Sequence, residues 1–150
     1  MDFNLTSIII AIDDAGSAGR ALDYGLETAE ALLLPVRLVH VIQTQDHHAA
    51  GVRRINLEDV SEAAGSYPEH ELAASLLERA LARAGDRKVE VEAVLLGGEP
   101  ASTLLRYLAE CDRPMLVMGR RGQGRLSQLL MGSVSDQIVR HASCPVMVVS

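Results

Sequence analysis

The chain has 150 residues, enough for one domain that buries ~68–70% of its unfolded surface around a single core. It is 48% hydrophobic with no tryptophan and one phenylalanine, so that core must be built from aliphatic side chains and methionine. A net charge of −6 argues against the basic face of a nonspecific nucleic-acid binder. No apolar run approaches the ~20 residues of a membrane span, and Met-Asp-Phe-Asn does not begin a signal peptide, so a soluble, cytoplasmic, single domain over 1–150 is expected.

Residues 7–12 form a continuous apolar run rich in β-branched side chains and ended by Asp13-Asp14, the pattern of a strand buried on both faces. Ser17 can cap a following helix whose apolar positions Leu22, Leu26, Ala29 and Leu33 recur at helical spacing and which Pro35 closes. Strand two is expected over 36–42. About two dozen residues without a clear period follow, long for a structureless connection, and a mobile or partly helical segment is expected over 43–66. Pro68 suits the first turn of a second helix carried by Leu72, Leu76, Ala80 and Ala84 and stopped by Gly85. Strand three is expected over 88–96. Glu99-Pro100 opens a third helix with Leu104, Leu105 and Leu108 on its buried face. Strand four is expected over 115–118, a fourth helix from Ser133 to about His141, and strand five over 146–149.

Strands alternating with helices imply an α/β fold, a single doubly wound, Rossmann-like parallel sheet of five strands with helices on both faces. The simplest such order is 3-2-1-4-5, in which the chain reverses between strands one and four. A crevice then opens at their C-terminal ends, where Asp13 ends strand one and Gly119 directly follows strand four.

Gly119, Gly122, Gly132 and Ser133 have the spacing Gly-x2-Gly-x9-Gly-Ser, leaving a strand and ending at a helix start. That arrangement suits phosphate: glycine lets the backbone approach an anion, and the free N–H groups of a helix's first turn point at it. It is not a Walker A loop, since the only lysine is Lys88, nor the tightly clustered dinucleotide fingerprint. The alternative is a surface loop with a helix cap, for which Ser133 is a good N-cap. Arg120, Arg121 and Arg125 beside it either support ligand phosphates or line a solvated loop.

The run Val-Met-Gly-Arg-Arg-Gly, then Gly132-Ser133-Val134-Ser135, then His141-Ala-Ser-Cys-Pro-Val-Met-Val-Val resembles the universal stress protein family in its ATP-binding branch. The likeness includes Ile8-Ile9-Ile10-Ala11-Ile12-Asp13 and Leu38-Val39-His40-Val41, and it covers nearly the whole chain apart from 43–66. The resemblance implies an ATP-binding stress-response regulator. Its nucleotide site would draw on Ala11, Ile12, Asp13, Val41, Met118, Gly119, Arg121, Gly122, Gly132, Ser133, Val134 and Ser135. In that reading the Val41 backbone meets the adenine edge and Asp13 accepts from ribose hydroxyls. Ser133 and Ser135 donate to phosphates, helped by the N–H groups of Ser133 and Val134. The alternative for Asp13, less favoured than the ligand role, is a polar strand terminus or a helix-side cap, and Asp14 either repels phosphate or helps hold Mg²⁺.

Other residues point to less. His40 reads as a satisfied core histidine, His47-His48 as an exposed pair without ligand partners, and His141 as a complement to a helix dipole. Cys111 and Cys144, far apart in sequence, read as structural thiols. No nucleophile–base pair is evident and no metal site is expected. The other functions in view are a slow ATP-hydrolysing enzyme and a non-binding dimeric adaptor. A homodimer is expected through the strand Val146-Met147-Val148-Val149, which ends on an apolar sheet edge. A regulator would also act on a downstream protein partner that the residues do not identify.

Overall fold

Ile8, Ile9 and Ile10 have no accessible surface at all, as a strand sandwiched between two helical layers requires. They lie in the central strand of a computed structural model that describes residues 4–13, 16–43, 68–120 and 132–150. Its elements are β1 (Ser7–Ala11), α1 (Gly16–Leu32), β2 (Val36–Ile42), α2 (Pro68–Ala84), β3 (Val91–Gly97), α3 (Pro100–Glu110), β4 (Pro114–Gly119), α4 (Ser133–His141) and β5 (Val146–Val149). The five strands form one sheet in the order β3-β2-β1-β4-β5, and every pairing is parallel. The expected α/β fold and strand order are those observed.

Alternation along the strands divides the core in two. Ile8, Ile10, Leu38 and Val117 point to one face, where Leu22 and Leu26 of α1 and Ala73 and Leu77 of α2 cover them. Ile9, Val39, Leu116 and Met118 point to the other, under Leu104 and Tyr107 of α3 and Ile138 of α4. Gly25 lets α1 lie close on the sheet, because a Cβ there would collide with the Ile10 side chain. The helix after β1 therefore packs on one face and the helix after β4 on the other. Their strands are neighbours, so the chain parts between their C-terminal ends and leaves a crevice there.

Several boundaries differ from expectation. β1 stops at Ala11, although the Ile12 N–H still donates to the Val39 carbonyl at 2.8 Å. β3 begins at Val91 rather than at 88, after the turn that follows Gly85. Gly119 is the last residue of β4, in register with Val149, and does not lie beyond the strand. Leu33 lies past the end of α1, with φ 55° and 77% exposure. Its position follows from a Schellman-type stop, in which the Leu34 N–H bonds the Ala29 carbonyl at 2.9 Å. Leu72 is exposed, and α2 turns Ala73, Leu76 and Leu77 inward instead. On α3, Tyr107 is buried, while Leu105 is only partly so.

Candidate nucleotide-binding crevice

The two rims of the crevice are fixed by backbone bonds. On the β4 side, the Arg120 N–H donates to the Val149 carbonyl at 2.8 Å, and the Gly132 N–H donates to the Arg120 carbonyl at 3.0 Å. The buried Ser135 hydroxyl donates to the Gly119 carbonyl at 3.1 Å. These bonds close the two ends of the intervening segment and hold the start of α4 against the end of β4. Arg121 and Gly122, together with Arg125, lie outside the described residues, as do Asp14, His47-His48 and the segment expected over 43–66 beyond Gln43.

Among the described residues no side chain caps the N-terminus of α4. Its N-cap is Gly132, and the first helical bond runs from the Asp136 N–H to the Gly132 carbonyl at 2.9 Å. Ser133 is thus the first helical residue and not the cap. The N–H groups of Ser133, Val134 and Ser135 are those a helix leaves without an internal partner. Ser133 and Val134 are exposed. Asp136 in the first turn could compete for this end, but its carboxylate is paired with Arg140 at 2.9 Å. The expectation that Ser135 donates to phosphate meets a competing bond, since its one hydroxyl proton goes to Gly119.

The start of α3, at the β3 edge of the same sheet end, is built the opposite way. The Glu99 carboxylate accepts from the Ala101 N–H at 3.1 Å and the Ser102 N–H at 2.8 Å. Hydrogen bonds from Ser102, then from Ala101, hold that carboxyl below its usual range. Of these two helix starts, one is capped by its own carboxylate and the other, among the described residues, is not. The Glu-Pro pair in front of an apolar helix was the sequence signal for this cap.

On the β1–β2 side, Ile12 is buried and Asp13 half-buried at the end of β1. Ala11 and Val41 pack partly against the α3/α4 face, and Met118 is buried within it. Odd-numbered residues of β2 turn their backbone toward β1, since Pro35 and Val39 accept from Ile8 and Ile12. Even-numbered ones turn toward β3, as the Ile42 carbonyl accepting from Gly98 shows. The Val41 N–H and C=O therefore face the side of β1, beyond its last strand residue. His40 is half-buried, and its Nδ1 lies 2.7 Å from the Ile12 carbonyl. A carbonyl only accepts, so Nδ1 carries the proton. His40 is thus satisfied, as expected, but by a partner 28 positions away that sequence spacing does not identify. Among the described residues no group of three or more His, Cys, Asp or Glu side chains is placed to hold a metal ion, and no helix is long and apolar enough to cross a membrane.

A doubly wound parallel sheet of order β3-β2-β1-β4-β5, with helices on both faces, defines a Rossmann-like α/β protein. The chain belongs to the universal stress protein family, whose sequence model matches residues 4–150. It is 26% identical over 145 residues to universal stress protein YxiE of Bacillus subtilis, covering 95% of this chain and 97% of that protein. It is 30% identical over 146 residues to Rv2005c of Mycobacterium tuberculosis, covering 95% of this chain but 47% of that longer relative. Among solved structures, UspA of Lactobacillus plantarum superposes with a TM-score of 0.74 at 21% identity, over 97% of both chains. A universal stress protein in complex with cAMP gives 0.69 at 20% identity, again over 97% of each chain. One from Archaeoglobus fulgidus in complex with dAMP gives 0.65 at 24%, over 97% of this chain and 98% of that one.

Proposed function

We propose that the chain is an adenine-nucleotide-binding regulatory protein, that ATP is its principal ligand, and that it holds the nucleotide rather than turning it over. The observation that carries this reading is the uncapped start of α4, clamped beside β4 at the switch point. Family membership supports it, as do the relatives solved with cAMP and dAMP. The N–H groups of Ser133 and Val134 would meet phosphate, with Arg121, Gly122 and Gly132 along the same loop. The Val41 backbone would meet the base, and Asp13 the ribose. Mg²⁺ would arrive with the phosphates, since it commonly needs only one or two protein carboxylates beside them; Asp14 would be the carboxylate for that role. Among the described residues, the Ser135 hydroxyl and the His40 imidazole both donate to backbone carbonyls, which does not favour either as a hydrolytic group. Binding can then act by shifting the population of a segment or an interface whose two states differ in affinity for nucleotide.

Proline at Ser133 tests the site. This is the first helical position, where proline is tolerated, and Gly132, with φ −61° and ψ 158°, already has the extended backbone that a residue before proline needs. Ser133→Pro deletes one N–H and keeps the helix. ATP affinity measured by calorimetry should fall about 10- to 150-fold, the ~1.5–3 kcal/mol of a hydrogen bond to a charged group. The melting temperature should hold, and Ser133→Ala should lose less. Unaltered affinity in a folded Ser133→Pro protein would remove α4 from the site.

A further inference from the structure

The β1–β2 ladder repeats a simple rule. The N–H of Ile8 donates to Pro35 and that of Ile12 to Val39, so the return bonds come from the residue two beyond each acceptor. Continued one step, that rule pairs the Val41 N–H with the Ile12 carbonyl. The bond is not made. The Ile12 carbonyl accepts instead from His40 Nδ1 at 2.7 Å, and no bond from the Val41 N–H reaches that carbonyl. Val41 is half-buried, and a half-buried backbone N–H is seldom left unpaired unless water or a ligand completes it.

We infer that His40 is a positioning residue: its side chain takes over the last ladder carbonyl of β1 and so keeps the Val41 N–H free to read the base of a bound nucleotide. A strand residue presents N–H and C=O on the same side. Together they complement an edge on which a ring-nitrogen acceptor adjoins an exocyclic amine, as in adenine, and they oppose guanine, where ring N–H and carbonyl are reversed. Histidine suits the task because it carries a donor at the second atom beyond Cβ while its ring spans the gap left where β1 turns away. The role of Val41 rests on the proposed nucleotide function; the displacement of its ladder bond does not.

Two measurements keep these apart. Amide hydrogen exchange on ligand-free protein reads the displacement directly. The Val41 N–H should exchange quickly in the wild type and in His40→Asn, whose side-chain amide nitrogen sits where Nδ1 does. It should become protected in His40→Leu and His40→Gln, where the donor is absent or one atom too far and the ladder bond re-forms. Calorimetry with AMP, GMP and ribose 5-phosphate reads the consequence. His40→Leu and His40→Gln should lose about tenfold in AMP affinity, the worth of one hydrogen bond to an otherwise unsatisfied group. They should discriminate less against GMP and bind ribose 5-phosphate unchanged, while His40→Asn keeps the wild-type preference. A protected Val41 N–H in the wild type, or wild-type AMP affinity in folded His40→Leu and His40→Gln, would overturn the inference. Failure of wild-type protein to bind AMP would overturn the nucleotide reading and leave the exchange result standing.

Discussion

Tyr107 shows how one atom can be placed at odds with its surroundings. The ring fills the α3 side of the core at 3% exposure, but its hydroxyl is buried without a hydrogen-bond partner. Arg37 and Cys111 are close enough to act on it electrostatically, yet neither meets it in bonding geometry. The guanidinium is directed elsewhere, with Nε 2.8 Å from Glu92 and Nη1 3.7 Å from the Cys111 sulfur. An unsatisfied buried hydroxyl costs ~1–3 kcal/mol, so Tyr107→Phe should stabilise the fold by about 1 kcal/mol after the loss of some contact area. Urea denaturation would show a higher midpoint at an unchanged slope. Burial pushes the phenol above its ordinary value of 10.0. An acid whose folded value is raised contributes stability that is complete below the unfolded value and lost as pH rises through the folded one. The advantage of Phe should therefore widen above pH 10. A less stable Tyr107→Phe would mean that water or Arg37 satisfies the hydroxyl in solution.

At the scale of elements, the helix ends carry the chemistry, and they are where sequence reading was least sharp. Glu99→Ala should cost about 1 kcal/mol, the usual worth of an N-cap. Because Ser102 and Ala101 hold the Glu99 carboxyl below its ordinary 4.5, that stabilisation is present above pH 4.5 and disappears as pH falls through the lower folded value. The stability gap between wild type and variant, measured in urea at pH 7 and again at pH 3, should narrow at the lower pH; an equal gap would assign the effect to packing. The apolar spacing that located the helices also overran them. Leu33 continues the series Leu22, Leu26, Ala29, but it is itself left-handed and α1 ends at Leu32. Ser133 has the side chain of a cap, but the clamp on Gly132 makes glycine the cap. In both places long-range contacts decide a boundary that local preference leaves open.

For the whole molecule, five apolar runs were legible as strands, most plainly β1, which is buried on both faces, and their order followed from the few connections a parallel sheet permits. The convergence of Asp13 with Gly119 was legible for the same reason. The His40–Ile12 bond was not, since it depends on where β1 turns away from its neighbour. The edge strand joins both kinds of argument. β5 is the last strand of the order, four residues long and without a charge. Pro145 and Val149 turn their carbonyls toward β4, so the backbones of Val146 and Val148 face outward. Such an edge invites another strand, and the identical strand of a second copy across a two-fold axis is the partner this chain always has available. Val148→Pro removes one outward donor and leaves the β4 ladder untouched, as proline on an edge strand can; Val148→Lys adds a charge at the same place. Sedimentation velocity at micromolar concentration should show a wild-type dimer and monomers for both variants, each keeping its circular dichroism spectrum. A monomeric wild type would mean that the edge is covered within one chain.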